Sequence, residues 1–256
     1  LHYVSSLSVF ETDEYIDVDR AFEHELPELP DGFRNGYALT KWVAERNLRT
    51  ARARGLPVTI YRPALITGNT ASGRYPTGDW FTRFLRAMTL FNAAPEFEYQ
   101  IDFAPSDYVA SAIAELVARG AAPNETLHLI GPRRTTVAEV ADWMRAAGYR
   151  LENVNPIRWA EQLESFALLS PEDPAASLAG LLPSGEARSR AGAALVASRR
   201  MPTFDSAQAV RNLGPHGIAC PEVDAHVFGK YLEYLREARF LSERPCQEAQ
   251  DRKSVV

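Results

Sequence analysis

Cysteine and lysine are scarce in this sequence, and there is no surplus of positive charge. The two cysteines, Cys220 and Cys246, cannot build a disulfide framework, and they cannot form a zinc site alone. Only three of the 28 basic residues are lysines, and the formal net charge is −5. Without a basic surplus to neutralise phosphates, nucleic-acid binding is not expected.

Long apolar runs are also missing. No stretch approaches the roughly 20 apolar residues that a membrane-spanning helix needs. The first residues, LHYVSSLSVF, lack the basic region, apolar stretch and cleavage site of a signal peptide. The five histidines show no metal-ligand spacing. We therefore expect a cytoplasmic protein without membrane association and without a metal.

What is present suits a globular chain with one large domain, or one domain with an appendage. Of the 256 residues, 46% are apolar and 24% are charged. The sequence begins like a strand, continues through a long acidic connection, and then shows helical periodicity over residues 36–54, with an apolar stripe at Leu39, Trp42, Val43 and Leu48. A short apolar strand follows at residues 56–61. This order predicts a right-handed βαβ crossover.

Further elements follow the same alternation. Helical patterns cover residues 79–91, 105–119, 136–147, 206–213 and 223–239, and strand patterns cover 97–103 and 126–130. Short helices and mobile connections are expected over residues 163–200, and disorder after 242.

Tyr37 and Lys41 lie four residues apart on the first predicted helix, so their side chains share one face. An ammonium beside a phenol stabilises the phenolate, and such a tyrosine can transfer a proton near neutral pH. The alternative interpretation is that Tyr37 and Lys41 are surface residues that share a helix face by coincidence and have no function.

Residues at the ends of two predicted strands are further candidates for the same site as Tyr37 and Lys41. Ser6 follows the first strand, and Arg62-Pro63 ends the next. In a parallel sheet, the carboxyl ends of the strands face the ligand crevice. A serine there can donate a hydrogen bond to a substrate oxygen, although serine is also a common turn residue.

This ordered set resembles the extended short-chain dehydrogenase/reductase superfamily. Within it, the sequence is most similar to the terminal thioester reductase domains of nonribosomal peptide and polyketide synthases and of carboxylic acid reductases. The resemblance rests on Tyr3-Val-Ser-Ser-Leu-Ser-Val9, Gly36-Tyr-Ala-Leu-Thr-Lys-Trp-Val-Ala-Glu45, Arg62-Pro-Ala-Leu-Ile-Thr-Gly68, Asp102-Phe-Ala-Pro-Ser-Asp-Tyr-Val-Ala110, Phe204-Asp-Ser206, Cys220-Pro221 and Lys230-Tyr-Leu-Glu-Tyr-Leu235.

The resemblance implies an enzyme that uses NADPH to release a carrier-bound acyl or peptidyl thioester as an aldehyde, or as the alcohol if a second reduction follows. It implies that Ser6 and Tyr37 donate to the thioester oxygen and that Lys41 holds the nicotinamide ribose. Pro63, Ala64, Leu65 and Ile66 would pack against the nicotinamide. The implied partners are a carrier protein with a phosphopantetheine arm and upstream synthase modules.

The sequence departs from this family in one respect. None of its 15 glycines forms the Gly-rich fingerprint that binds the cofactor pyrophosphate. We therefore expect an α/β fold that is the C-terminal part of a doubly wound, Rossmann-like parallel sheet. Residues 1–122 are expected to carry the second half of the NADP-binding domain with the catalytic residues. Residues 123–256 are expected to form a mostly helical subdomain that faces substrate and carrier, with a lid over 160–200 and a disordered tail at 242–256.

Two other functions stay open. A nucleotide-sugar epimerase or dehydratase of the extended type shares the serine, the Tyr-x-x-x-Lys pair and Arg-Pro. A non-catalytic binding fragment is the second alternative, because the glycine-rich half is lacking. Cys220 is expected to be a small core residue.

Overall fold

A computed structural model describes residues 1–29, 32–33, 35–96, 99–120, 122–182 and 201–242. The chain forms two compact units. The first comprises residues 1–67, 100–135 and 199–223, and the second comprises 68–99, 136–198 and 224–256. Each unit is thus built from three segments that interleave along the chain. The division of function between residues 1–122 and 123–256 stays a prediction.

A parallel sheet of three strands forms the centre of the first unit. The strands are β1 (His2–Val4), β3 (Thr59–Pro63) and β7 (Thr126–Leu129), in the order β1-β3-β7. Tyr3 pairs with Ile60, and Ile60 pairs with Thr126. β3 is buried along its whole length, as expected for a central parallel strand. The parallel pairing of β1 and β3 confirms the α/β class and the predicted βαβ connection, and the right-handed sense of that connection stays a prediction.

Helix α1 (Gly36–Ala53) forms the crossover between these strands, close to its predicted bounds. It begins where the Asn35 side chain accepts a hydrogen bond from the Ala38 amide, at 2.8 Å. The predicted apolar stripe is partly wrong, because Val43 is exposed while Glu45 is buried. A charged residue occupies the core-facing position because it has a buried partner, which lies on β3.

The predicted first strand is shorter than its apolar pattern. It ends at Val4, and Leu7–Phe10 form a 3-10 turn in which Leu7, Val9 and Phe10 are buried. The predicted strand at residues 56–61 is shifted to Thr59–Pro63, and Leu56 is exposed. Burial in a turn and burial in a strand require the same residue types, so composition did not separate them.

A second sheet in the first unit has the order β4-β6-β8. Its strands are β4 (Leu65–Thr67), β6 (Gln100–Pro105) and β8 (Arg134–Thr136). Helices α3 (Ser106–Arg119) and α6 (Ala207–Leu213) bury apolar residues in one core cluster with β7. Strand β2 (Arg20–Ala21), in the long acidic connection, pairs in parallel with β10 (Thr203–Phe204). The connection is therefore partly structured.

The second unit is mainly helical. Its elements are α2 (Trp80–Phe91), β5 (Ala93–Pro95), α4 (Val137–Ala146), β9 (Glu152–Val154), α5 (Pro156–Leu169), a 3-10 helix (Pro174–Leu181) and α7 (Ala225–Glu237). Thr136 begins α4 with a reciprocal capping box to Glu139, at the start of the helix predicted over residues 136–147. An aromatic cluster that includes Phe81, Phe84 and Trp159 forms much of its core.

The stretch 163–200, for which short helices and mobile connections are expected, is helical in the described parts that belong to α5 and to Pro174–Leu181. Residues 183–200 and 243–256 lie outside the described residues, and with them the second part of the predicted lid and nearly all of the predicted disordered tail. Among the described helices, none is both long enough and apolar enough to cross a membrane.

Candidate active site

The carboxyl end of β1 carries the predicted serine. The Ser5 amide donates to the Tyr61 carbonyl at 2.7 Å, which extends the ladder with β3 by one residue. The chain then turns, and the Ser6 hydroxyl accepts a hydrogen bond from the Ser8 amide at 3.1 Å. Ser6 thus begins the 3-10 turn against which α1 packs. Because it accepts this bond through an oxygen lone pair, the same hydroxyl can still donate its proton.

Lys41 reaches the same strand end from α1. Its Nζ atom donates to the Val4 carbonyl at 2.9 Å. The ammonium lies 5.7 Å from the centre of the Tyr37 ring and 5.3 Å from the centre of the Tyr3 ring. Three contacts therefore hold this cation, two of them with residues of β1.

Tyr37 stands in the first turn of α1, one turn before Lys41. Tyr37 is 56% exposed, so the residue is open to a ligand. The structure thus brings Tyr37 and Lys41 together at the end of β1, where Ser6 begins its turn. The catalytic roles of these three residues stay predictions.

The predicted nicotinamide-contacting segment follows the neighbouring strand. Pro63 ends β3 and is buried, whereas Ala64, Leu65 and Ile66 are half-buried. Ala64 donates its amide to the Leu129 carbonyl at 3.0 Å, and Ala64 and Ile66 pack against the core cluster of α3 and β7. β1 and β3 are parallel neighbours, so the segment and Ser6 lie at the same edge of one sheet.

A buried ion pair beneath this site was not predicted. The Arg62 guanidinium donates to both oxygens of Glu45, with Nε–Oε1 at 2.9 Å and Nη2–Oε2 at 2.6 Å, and both side chains are fully buried. Glu45 follows Lys41 by one helical turn, and Arg62 directly precedes Pro63. The pair therefore joins the helix of Tyr37 and Lys41 to the strand of the predicted nicotinamide segment. The sequence contains one sign that Glu45 lies on the same helix face as the site: Tyr37, Lys41 and Glu45 follow one another at intervals of four residues.

His128 on β7 extends this network. Its Nε2 atom lies 3.1 Å from an Arg62 nitrogen, and its Nδ1 atom lies 2.7 Å from the Asp205 carbonyl oxygen. Because guanidinium can only donate, Nε2 is the acceptor and Nδ1 carries the proton. Burial, and next the Arg62 charge, lower the pKa of His128 from 6.5 to about 3. The imidazole is therefore neutral.

Glu23, in the long connection, binds backbone amides of two distant segments. Its carboxylate accepts from His128 at 2.9 Å, from Gln208 at 2.6 Å and from Ala209 at 3.1 Å. Burial raises the pKa of this carboxyl, and the three amide hydrogen bonds oppose that shift. Two of these amides belong to the first turn of α6, where a negative group is favourable. Glu23 thus fixes α6 beside β7.

The comparisons with known proteins agree with this architecture. A family model of NAD-binding domains described as "Male sterility protein" matches residues 1–113. The solved terminal R domain from the myxalamid PKS-NRPS biosynthetic pathway is 35% identical, with a TM-score of 0.82 over 94% of this chain. By these matches the chain is similar to thioester reductase R domains of the extended short-chain dehydrogenase/reductase superfamily.

Other relatives are synthetases that are much longer than this chain. A linear gramicidin synthase protein of Brevibacillus parabrevis is 29% identical over 92% of this chain, which spans 4% of that protein. A nonribosomal peptide synthetase of Aspergillus hancockii is 30% identical over 93% of this chain, which spans 24% of it. The chain covers 59% of the myxalamid R domain. It therefore corresponds to a part of each of these proteins.

Proposed function

We propose that this chain carries the catalytic residues of a reductase that uses NADPH to release a carrier-bound acyl or peptidyl thioester as an aldehyde. The observation that carries the proposal is the position of Lys41. Its ammonium is hydrogen-bonded to Val4 at the carboxyl end of β1, beside the accessible phenol of Tyr37. Kinship with R domains supports the reaction class.

The residues at this strand end fit a nicotinamide cofactor. An ammonium has three N–H donors, and the Val4 carbonyl takes one, so Lys41 can donate to ribose hydroxyls. The buried Ser5 hydroxyl has no hydrogen-bond partner among the described residues, which costs free energy unless a ligand or water supplies one. Pro63, Ala64, Leu65 and Ile66 would contact the nicotinamide. When bound, NADPH supplies a hydride.

Three side chains of the protein stabilise the negative charge that develops on the substrate. Negative charge builds on the thioester oxygen during reduction, and two placed hydroxyl donors stabilise it. Ser6 hydrogen-bonds that oxygen, and Tyr37 protonates it as general acid. Lys41 stabilises the phenolate that Tyr37 becomes when it gives up its proton. Collapse of the resulting thiohemiacetal breaks the carbon–sulfur bond, so the products are an aldehyde and a free thiol.

The proposed partner is a carrier protein that presents the thioester on a phosphopantetheine arm, within a synthase whose modules precede the reductase. The synthetases named above contain sequences similar to this chain, and this similarity supports the proposed partner.

The test uses the full-length polypeptide that contains these residues, supplied with NADPH and an acyl thioester on a carrier protein. We expect loss of NADPH absorbance with equal amounts of aldehyde and thiol, or alcohol if a second reduction follows. Nucleotide-sugar isomerisation without net consumption of NADPH would support the epimerase alternative. Tight carrier binding without turnover would support a non-catalytic fragment.

A further inference from the structure

A second tyrosine contacts the cation of the proposed site. The ring of Tyr3 is 5.3 Å from Lys41 Nζ, nearer than the ring of Tyr37 at 5.7 Å. Both distances are within the roughly 6 Å at which a ring attracts a cation. The carbonyl of the next residue, Val4, accepts the hydrogen bond from Lys41. Two consecutive residues of β1 therefore hold one ammonium.

Tyr3 is better fixed than Tyr37. It lies in the middle of β1, in register with Ile60 of the buried strand β3, and its side chain is half-buried. Tyr37 stands in the first turn of a helix and is largely exposed. The ring of Tyr3 is thus anchored by the sheet, and its position relative to the carboxyl end of β1 does not depend on α1.

The surroundings of Tyr3 favour an uncharged ring. Burial raises the pKa of its phenol, and the negative charge of Glu45 and the neighbouring Tyr37 raise it further. Tyr3 therefore stays protonated in the pH range in which Tyr37 is proposed to act. A neutral aromatic ring attracts an ammonium through its quadrupole without neutralising it. The ring of Tyr3 therefore holds the Lys41 side chain without placing a counter-charge beside it.

We propose that Tyr3 is a positioning residue whose ring holds the Lys41 ammonium at the carboxyl end of β1. This inference rests on the proposed function, since it concerns how Lys41 is presented to Tyr37 and to the cofactor ribose. A lysine side chain has four rotatable bonds, and restraining it beforehand reduces the entropy lost when a ligand binds. The ring, and not the hydroxyl, carries this role.

The kinetic test compares Tyr3→Phe, which keeps the ring, with Tyr3→Leu, which removes it, in the full-length polypeptide. We expect Tyr3→Leu to raise the KM for NADPH by about 3- to 30-fold, the range given by cation–π strengths. Tyr3→Phe should have nearly the wild-type KM for NADPH, because the ring is kept. In a Lys41→Met background, the leucine variant should cause no further change, because the cation is already absent.

A second readout does not depend on activity. In the full-length polypeptide, ¹³C labelling of the lysine ε-carbons gives an NMR signal for Lys41, which is assigned by its absence in Lys41→Met. Aromatic ring currents should shift the Lys41 signal upfield in the wild-type chain and in Tyr3→Phe, and less in Tyr3→Leu. Lys230, which donates to the Thr70 carbonyl, serves as the internal control and should not move.

The outcomes separate the two claims. An unchanged Lys41 signal in Tyr3→Leu overturns the positioning role, and so does a Tyr3→Phe variant as impaired as Tyr3→Leu, because the hydroxyl would then matter. If the wild-type polypeptide reduces no thioester while the ring-dependent shift is present, the proposed function fails and the contact between Tyr3 and Lys41 stands.

Discussion

At the scale of single residues, the site depends on how a flexible lysine is held near a phenol. Lys41 is fixed by a backbone carbonyl and two aromatic rings, whereas Tyr37 is left accessible. An accessible Tyr37 suits a proton donor that must contact a substrate, and a fixed Lys41 suits a cation that must stay in place. Ser6 contributes a hydroxyl whose position is set by the turn it begins.

Tyr37→Phe removes the proposed proton donor while it keeps the ring and its packing. Turnover in the full-length polypeptide should fall by about 10²–10⁴-fold, the usual contribution of general acid catalysis. The thermal midpoint should not change, because Tyr37 is largely exposed. Tyr99→Phe, at another exposed tyrosine, is the matched control and should keep wild-type turnover. Wild-type turnover in Tyr37→Phe would remove Tyr37 from the mechanism.

His128 makes stability depend on pH. Its pKa is about 3 in the folded chain and 6.5 when unperturbed, so the unfolded chain binds a proton first as the pH falls. The contribution of neutral His128 to the free energy of unfolding is fully present above pH 6.5 and is lost as the pH drops towards 3. Between pH 7 and pH 5 the loss should be about 2 kcal/mol.

Urea denaturation at both pH values measures this loss, with His128→Gln as the comparison. The glutamine cannot titrate, so the variant should lose about 2 kcal/mol less than the wild-type chain over the same interval. Equal losses in the two proteins would show that His128 is not the titrating group. Glu23 titrates in both proteins, and its contribution cancels in the difference.

At the scale of elements, the ion pair of Glu45 and Arg62 connects α1 to β3. Glu45→Gln leaves the Arg62 charge buried without its counter-charge, which typically costs about 3–5 kcal/mol. We expect a loss of this size in the free energy of unfolding, measured from urea midpoints. Asp142→Asn breaks an exposed ion pair with Arg145 on α4 and should cost less than about 1 kcal/mol. Similar losses in both variants would contradict a special role for the buried pair.

Some elements could be predicted from the sequence because their signals are local. Helix α1 has an Asn35 cap and a Gly55 with φ of +96° just beyond its end, and its bounds were predicted within one residue. The burial of Glu45 could not be predicted, because its partner lies on another element. The turn at Leu7–Phe10 was missed because its apolar residues also suit a strand.

The same limit applies to the site. Tyr37 and Lys41 could be paired by helical spacing alone, and Ser6 by its place after a strand. Tyr3 could not, since its contact with Lys41 depends on the register of β1 against β3 and on where α1 crosses. Likewise, the links from Glu23 to residues of α6 join positions far apart in the chain, and no sequence pattern marks them.

At the scale of the whole molecule, cofactor affinity should depend on sequence that these 256 residues do not contain. They carry no glycine-rich fingerprint to supply backbone amides to the pyrophosphate. Lys41 and the segment from Pro63 to Ile66 would contact only the nicotinamide ribose and ring. Isothermal titration of the isolated chain should therefore show no binding at micromolar NADPH. A micromolar Kd would show that the chain binds the pyrophosphate by another route.

The most direct test of the account follows the transferred hydrogen. The full-length polypeptide is supplied with a carrier-bound acyl thioester and with NADPH that carries deuterium at its transferable position. We predict one deuterium at the carbonyl carbon of the released aldehyde, detected by mass spectrometry, together with one equivalent of free thiol. An aldehyde without deuterium, or free acid and thiol without aldehyde, would contradict reductive release by this site.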